Sequence, residues 1–370
     1  MTGIFLPPWA ANKWGPGGCP AFPRMLQEFP DDQDHPSARE GQAALHYITE
    51  TIRGRPVGEY ATNKHPITQD MRDDGEQMLT DMRAVIQPGV EWCIEQELQM
   101  PQVHPTMNRG RIDFGAIDWN TRTVHSWEYK YGHTDVDVYE NWQLVDYAVG
   151  LVNLFNVPLS DAPWTIDFRV YQPRSFHGSG PMKRWNVNGP KFYELVDRLA
   201  ASAAEASQPG APFRTGPQCD NCPARHACPA LRAVGGRSID MSKRGLPHVL
   251  EPLQAGIALR EIRAARERLE DLETGLEAQI MADLRAGKTV PYWEAVPSQG
   301  REKWDVPADV VISTAKLMGH DLAKPVEALT PAQARKKGFD ETVISAYASR
   351  QPGEIKLKPV DSKAVRKAFS

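Results

Sequence analysis

Gly110-Arg111-Ile112-Asp113, then Trp127-Glu128-Tyr129-Lys130, then Gln143-Leu144-Val145-Asp146-Tyr147: the reading of these three runs decides the fold. Gly110 to Asp118 and Thr123 to Lys130 alternate apolar and polar residues. Trp119-Asn120-Thr121-Arg122 joins them, a pattern that predicts a hairpin. Positions two apart on a strand point to one face, so Glu128 and Lys130 project together and Asp113 meets them from the neighbouring strand. Two carboxylates supply hard oxygen ligands for Mg²⁺. The ammonium orients a water or offsets charge building up on a phosphate. Gln143 and Tyr147 lie one helical turn apart, on one face of an amphipathic stretch from Glu140 to Phe155. The competing reading is a half-buried hairpin whose charges face solvent.

Working outward, Glu91 to Met100 is a short element bearing Glu95, with Glu97 as the neighbouring acid. A helix to about Arg53 carries His46, and Ser37 with Glu40 forms a capping box at its start. A second helix is expected from Met71 to Ile86, a strand from Trp164 to Gln172 and an Ala-rich helix from Lys191 to Ala206. Residues 1–36, rich in Pro and Gly, read as an extended arm anchored at Cys19. Leu250 to Ala286 has the spacing of a long amphipathic helix or helical hairpin, read as a packing face. Residues 301–370 form a small, mostly helical module with one helix running from Thr330-Pro331 to Lys337-Gly338. The fold class is α/β, with one domain over 1–240 and a helical C-terminal module over 245–370.

The 370 residues suffice for a large domain or two ordinary ones, and no apolar run approaches the ~20 needed to span a bilayer. The N-terminus lacks the basic and apolar regions of a secretory signal, so a cytoplasmic protein is expected. A net charge of −4 gives no global pull toward nucleic acid, although a local basic groove is sufficient for a DNA enzyme.

Of five cysteines, Cys219, Cys222 and Cys228 form a tight triplet, a spacing that wraps a soft metal centre. Four thiolates are the usual complement, so a remote cysteine must join. Cys19 sits in irregular Trp14-Gly15-Pro16-Gly17-Gly18-Cys19-Pro20, whereas Cys93 sits in regular structure and is accounted for as a buried thiol. Cys19 is the preferred fourth ligand. Zn²⁺ on the same four thiolates is the alternative to an iron–sulfur cluster.

The G-x-x-D, ExK and QxxxY elements, in that order within forty residues, resemble the RecB-like branch of the PD-(D/E)XK nuclease superfamily. With the cysteines, the order of features from Trp14 to Cys228 is similar to phage-encoded members and to iron–sulfur nucleases of the AddB-type and CRISPR adaptation kinds. The aromatics Trp127 and Tyr129 depart from the aliphatic residues common on the ExK strand. The resemblance implies a restriction-endonuclease-like core, a mixed sheet flanked by helices, stapled by a structural [4Fe–4S] cluster on Cys19, Cys219, Cys222 and Cys228. It implies Mg²⁺ or Mn²⁺ held by His46, Glu95, Asp113, Glu128 and the backbone carbonyl of Tyr129. Asp113, Glu128, Lys130, Gln143 and Tyr147 would then carry the chemistry. Arg174 matches a recurrent strand-end arginine that touches phosphate, or is an ordinary surface residue.

The function so implied is a DNA exonuclease that processes ends for phage recombination or replication in the host cytoplasm, beside a phage recombination protein. The alternatives are a catalytically weak DNA-binding recombination factor and a structural iron–sulfur scaffold. Lys336 and Lys337, with the basic residues from Lys356 to Lys367, suggest a C-terminal module that holds the DNA backbone, or a solvated basic tail. Polarity, strand preference and oligomeric state are not written in these residues.

Overall fold

The computed structural model of the chain describes residues 3–30, 36–175, 180–242, 251–296, 308–317 and 340–342. It divides into two compact units, Met1–Trp293 and Glu294–Ser370. In the first, α1 (Ala11–Trp14), α2 (Phe22–Glu28), α3 (Pro36–Ile52) and α4 (Gln69–Val85) precede β1 (Val90–Gln99), β2 (Arg109–Asp118) and β3 (Thr123–Tyr129). Then come α5 (Trp142–Leu154), β4 (Thr165–Tyr171), β5 (Met182–Asn188), α6 (Gly189–Ala206), α7 (Pro229–Ser242) and α8 (Pro252–Arg285). In the second unit the described helix is α9 (Ala308–Leu317).

The strands form one five-stranded mixed sheet in the order β1-β2-β3-β4-β5. The β1–β2, β2–β3 and β4–β5 pairs are antiparallel, and β3–β4 is parallel with α5 as the crossover. The expected hairpin is therefore β2–β3. Its turn is held by Asp118, whose carboxylate accepts from the Asn120 and Thr121 N–H groups at 2.9 and 3.2 Å. Asparagine and threonine oxygens start the helices: Thr68 caps α4, Asn141 caps α5 and Asn188 caps α6, each accepting a backbone N–H three residues on. α3 begins at Pro36, one residue before the expected cap Ser37. Glu40 pairs with Arg174 at 2.9 Å.

Helices cover both faces of the sheet. On one, α1, α5 and α6 bury Trp14, Leu144, Leu151, Phe192 and Leu199 against Ile112, Ile117, Val124 and Phe168. On the other, α3 and α4 bury Tyr47, Ile48, Met78 and Met82 against Ile94, Phe114, Trp127 and Tyr171. Residues 3–30 are not an extended arm. Leu6, Trp14 and Phe22 are buried in the α5-side core, and the Trp14 indole donates to Pro7 O. Those aromatic anchors outweigh the loop signal of the prolines and glycines. β5 was not foreseen, because its inward residue Lys183 is a charge. The ammonium is buried among Asp135, Val136 O and Gln172.

The described part of Leu250 to Ala286 is one helix, Pro252–Arg285, not a hairpin, and it belongs to the first unit. Asp271 and Gly275 are its buried residues. Arg225 Nε donates to Thr274 Oγ1 at 3.2 Å, and a Cβ at Gly275 would come within 2.4 Å of Arg225 Cγ. The two compact units meet in the chain between Trp293 and Glu294. The helix expected at Thr330-Pro331 to Lys337-Gly338, with Lys336 and Lys337, lies outside the described residues, as do Lys356 to Lys367.

Candidate active site

Regular pleating would put Ile112 and Phe114 on one face. They are on opposite faces: Ile112 packs on the α5 side, Phe114 on the α3–α4 side. On β1 the same reversal separates Ile94 on the α3–α4 side from Leu98 on the α5 side, although an even spacing would align them. The register explains where it happens. Ile94 pairs with Phe114 and Gln96 with Ile112, leaving Glu95 and Asp113 opposite one another without a ladder pairing. Glu95 has φ +50°, a left-handed conformation rare outside glycine. The acidic pair sits where both strands break their alternation.

Asp113 Oδ2 accepts from the Tyr129 N–H at 2.8 Å, which fixes it against β3. Lys130 Nζ stands 2.6 Å from Glu128 Oε1. The Glu128 side chain is 6 % exposed and that of Lys130 35 %, so the carboxylate is the more enclosed of the two partners. Glu128 Oε2 is buried without a hydrogen-bond partner. Burial, then the charge of Glu128, pushes the Asp113 carboxyl well above the usual range, against the Tyr129 N–H and Lys130. Burial works against the Lys130 charge, but Glu128 and then Asp113 carry its pKa upward. Glu95 contributes a third negative charge near Asp113 and is itself 3.8 Å from Arg111.

α5 closes the site from above. Gln143 and Tyr147 are both buried, and the Gln143 side chain hydrogen-bonds Tyr147. Burial, followed by the charges of Glu128 and Asp113, raises the Tyr147 phenol, so the ring lies within electrostatic reach of both carboxylates. The glycine of the first run has its reason here. A Cβ at Gly110 would meet Pro8 at 3.0 Å and the Tyr147 hydroxyl at 3.5 Å.

The other expected residues divide. Tyr129 brings its backbone to Asp113, while its ring stacks between Tyr131 and Tyr171 on the other face. His46 lies on α3, whose buried neighbours Ala43, Ala44 and Tyr47 pack on that same other face. Among the described residues, no three His, Cys, Asp or Glu side chains are grouped so as to hold a metal ion, so neither His46, Glu95, Asp113 and Glu128 nor Cys19, Cys219, Cys222 and Cys228 close into a metal shell as placed. Arg174 is held by Glu40 and lies over the Tyr131 ring at 4.6 Å. Sequence reading named Glu95 but not its left-handed backbone, which no glycine announces. It missed the exposed pair Arg109 and Arg111 on β2.

A second site gathers four of the five cysteines. Cys19, Cys219, Cys222 and Cys228 line one pocket of about 350 Å³, part of it open to solvent. Cys222 N donates to Cys219 O and Arg225 N to Cys222 O, winding the triplet through successive turns. The Arg214 N–H points to Cys19 Sγ at 3.4 Å. Burial raises Cys19 and Cys219 and pushes Cys222 up to about 11. Lys13, lowered by burial, is attracted by Asp220, Cys222 and Cys219. Cys93 is on β1, away from this pocket, its thiol pushed up to about 12 by burial.

The model of a family described as "Protein of unknown function (DUF2800)" matches residues 5–364. No curated protein matches the chain. Among the described residues no helix is long and apolar enough to cross a membrane.

Proposed function

We infer that this chain, which belongs to the DUF2800 family, is a divalent-metal-dependent deoxyribonuclease built on a PD-(D/E)XK core. One observation carries the reading. Glu128 Oε2 is buried without a donor beside Asp113, whose ionisation Glu128 itself opposes, while Lys130 occupies the other Glu128 oxygen. Two carboxylates forced together, one oxygen left bare, are the donor set a hard divalent cation satisfies. Asp113, Glu128 and the Tyr129 carbonyl would hold Mg²⁺ or Mn²⁺, with Glu95 the nearest further carboxylate. His46 lies on α3, whose buried neighbours pack on the α3–α4 side, so it is the weaker member of the expected set.

A bound cation supplies Lewis-acid polarisation of the phosphate and a water of lowered pKa. The protein's own groups do the rest. Lys130, charged and less enclosed than Glu128, aligns the attacking water and offsets the negative charge that grows on the phosphoryl oxygens. Tyr147, held by Gln143, closes the site over the carboxylates. Arg109 and Arg111, exposed on the strand that carries Asp113, are available to the flanking phosphates. Linear DNA ends, processed for recombination or replication, are the substrate we propose.

For the cysteine pocket we propose a structural [4Fe–4S] cluster, with Zn²⁺ as the alternative. Four thiols on one pocket are the right donor set. Burial keeps three of them protonated as placed, and a metal centre is what converts such thiols to thiolates. The function is tested by incubating the purified protein with linear duplex DNA and Mg²⁺ or Mn²⁺ and measuring acid-soluble nucleotide. Release by the wild type and its loss in Asp113→Ala are expected. No release with either metal would refute the enzyme and leave the DNA-binding recombination factor.

A further inference from the structure

Asp146 takes no part in the proposed chemistry, yet it is the most deeply enclosed carboxyl near the site. It lies on α5 between Val145 and Tyr147 and is 0 % exposed. Its one hydrogen bond comes from Asn108 Nδ2, which donates to Asp146 Oδ2 at 2.9 Å. Two atoms are then left over, Asp146 Oδ1 and Asn108 Oδ1, both buried and both without a partner. Each is an acceptor, so neither can serve the other as long as Asp146 is ionised.

One proton resolves both. A neutral carboxylic acid has an O–H to give, and a primary amide beside it has a carbonyl to receive it. We propose that Asp146 is held as a neutral acid whose proton goes to Asn108 Oδ1, and that this acid–amide pair positions Tyr147 over the carboxylate site. The positioning role rests on the nuclease reading; the protonation does not.

The surroundings favour the neutral form. Burial drives the Asp146 carboxyl up to about 8, with only the Asn108 hydrogen bond working against it. No charged side chain among the described residues adds to that balance. Its titratable neighbour is Tyr147 on α5, which feels Asp146 in turn. Asn108 is itself anchored: Met100 N donates to its carbonyl at 3.3 Å, and it bridges to Leu6 of the N-terminal segment. Two residues on, the space that a Cβ at Gly110 would fill is bounded by the Tyr147 hydroxyl. Asp146 on Asn108 and Tyr147 beside Gly110 are thus adjacent points at which α5 meets the start of β2 and the residue before it.

The test compares wild type, Asp146→Asn and Asp146→Ala as full-length proteins from pH 5 to 9. An asparagine at 146 donates to Asn108 Oδ1 and accepts from Asn108 Nδ2, so it reproduces the neutral pair and cannot ionise. Unfolded aspartate loses its proton near ~4, whereas the folded wild type keeps it to about 8. Wild-type stability therefore falls across that window relative to Asp146→Asn, because the native state binds the extra proton. The melting-temperature gap between the two should widen from pH 5 to 8 and then level. Asp146→Ala should melt lower at every pH. A gap that does not change with pH overturns the protonation.

Should Asp146→Asn fail to fold, carbon-13 carboxyl NMR of aspartate-labelled Asp113→Asn protein decides, since that background removes Asp113, whose carboxyl is held well above the ordinary range. A signal lost in an Asp113→Asn, Asp271→Asn double variant belongs to Asp271, raised by its own burial, and not to Asp146. One carboxyl titrating near pH 8 is expected; all titrating in the ordinary acid range overturns the proposal. For positioning, the ratio of kcat/KM of Asp146→Asn to wild type should rise several-fold between pH 7 and 9. A flat ratio overturns that role. A wild type that cuts no DNA refutes the nuclease reading and the positioning with it, while the melting and NMR arms still decide the protonation.

Discussion

Lys130→Met is the perturbation that separates the electrostatics of the site from its chemistry. It removes the cation 2.6 Å from Glu128 Oε1, and Oε2 already has no donor. A buried carboxylate would be left with both oxygens bare. Breaking a fully buried pair costs about 3–5 kcal/mol and an exposed one about 0–1. With Glu128 at 6 % and Lys130 at 35 % exposure, water partly replaces the ammonium. The loss should lie between those limits, about 1–2 kcal/mol, or roughly 2–6 °C in a unit of this size. The cause is the orphaned charge, so adding Glu128→Gln should return most of it. Glu128→Gln alone should be neutral or stabilising, because it relieves Asp113 of its like-charged neighbour. All three variants should lose at least ~10²-fold in DNA cleavage, as removal of a charge-stabilising group does. The assay is thermal melting of the four proteins without metal, alongside nucleotide release with Mn²⁺. A double variant as unstable as the sum of the singles, or Lys130→Met cutting like wild type, would refute the reasoning.

Cys222→Ser should strip the bound iron, or zinc, measured by elemental analysis and visible absorption, while Cys93→Ser should retain it; metal loss in Cys93→Ser and not in Cys19→Ser would reassign the fourth ligand. A chain ending at Trp293 should melt like the full protein, whereas one ending near Arg244 should melt lower and lose cysteine-bound metal, because α8 packs on Arg225 and His226 between the cysteines; equal melting of the two would dissociate α8 from the first unit. Gly150→Ala should lower stability by about 1 kcal/mol, since its Cβ would stand 2.8 Å from Leu98 Cβ and 2.9 Å from Met100 Sδ. Overpacking of about 1–3 kcal/mol outweighs the ~1 kcal/mol gained in helix propensity, and a raised melting temperature would show that α5 has room to move off β1.

Period and turn chemistry made much of the sheet legible. The hairpin, the crossover helix and the shared face of Gln143 and Tyr147 all follow from apolar spacing, because burial on one side imposes it. Where a buried position is polar, the same reasoning is blind. Lys183 hid β5, since a charge facing inward mimics a loop until its partners Asp135 and Gln172 are known. The N-terminal segment was misread for the opposite reason: its prolines and glycines speak locally, whereas Leu6, Trp14 and Phe22 are buried by contacts over a hundred residues away.

The candidate site was legible in its residue types but not in its geometry. Strict alternation gives Glu128 and Lys130 a common face, and β3 keeps that alternation. On β1 and β2 it cannot hold, because Ile94 and Leu98, like Phe114 and Ile112, must reach different cores. Something between them has to break the pleat, and it is Glu95, without glycine and at some cost in backbone energy. A strand that kept its pleat would present Asp113 as one of a row. Interrupted there, it leaves Asp113 outside the ladder, open to the Tyr129 N–H on one side and to Glu128 on the other. Local rules fail most sharply where the acids meet, at the point where the two strands change which core they feed.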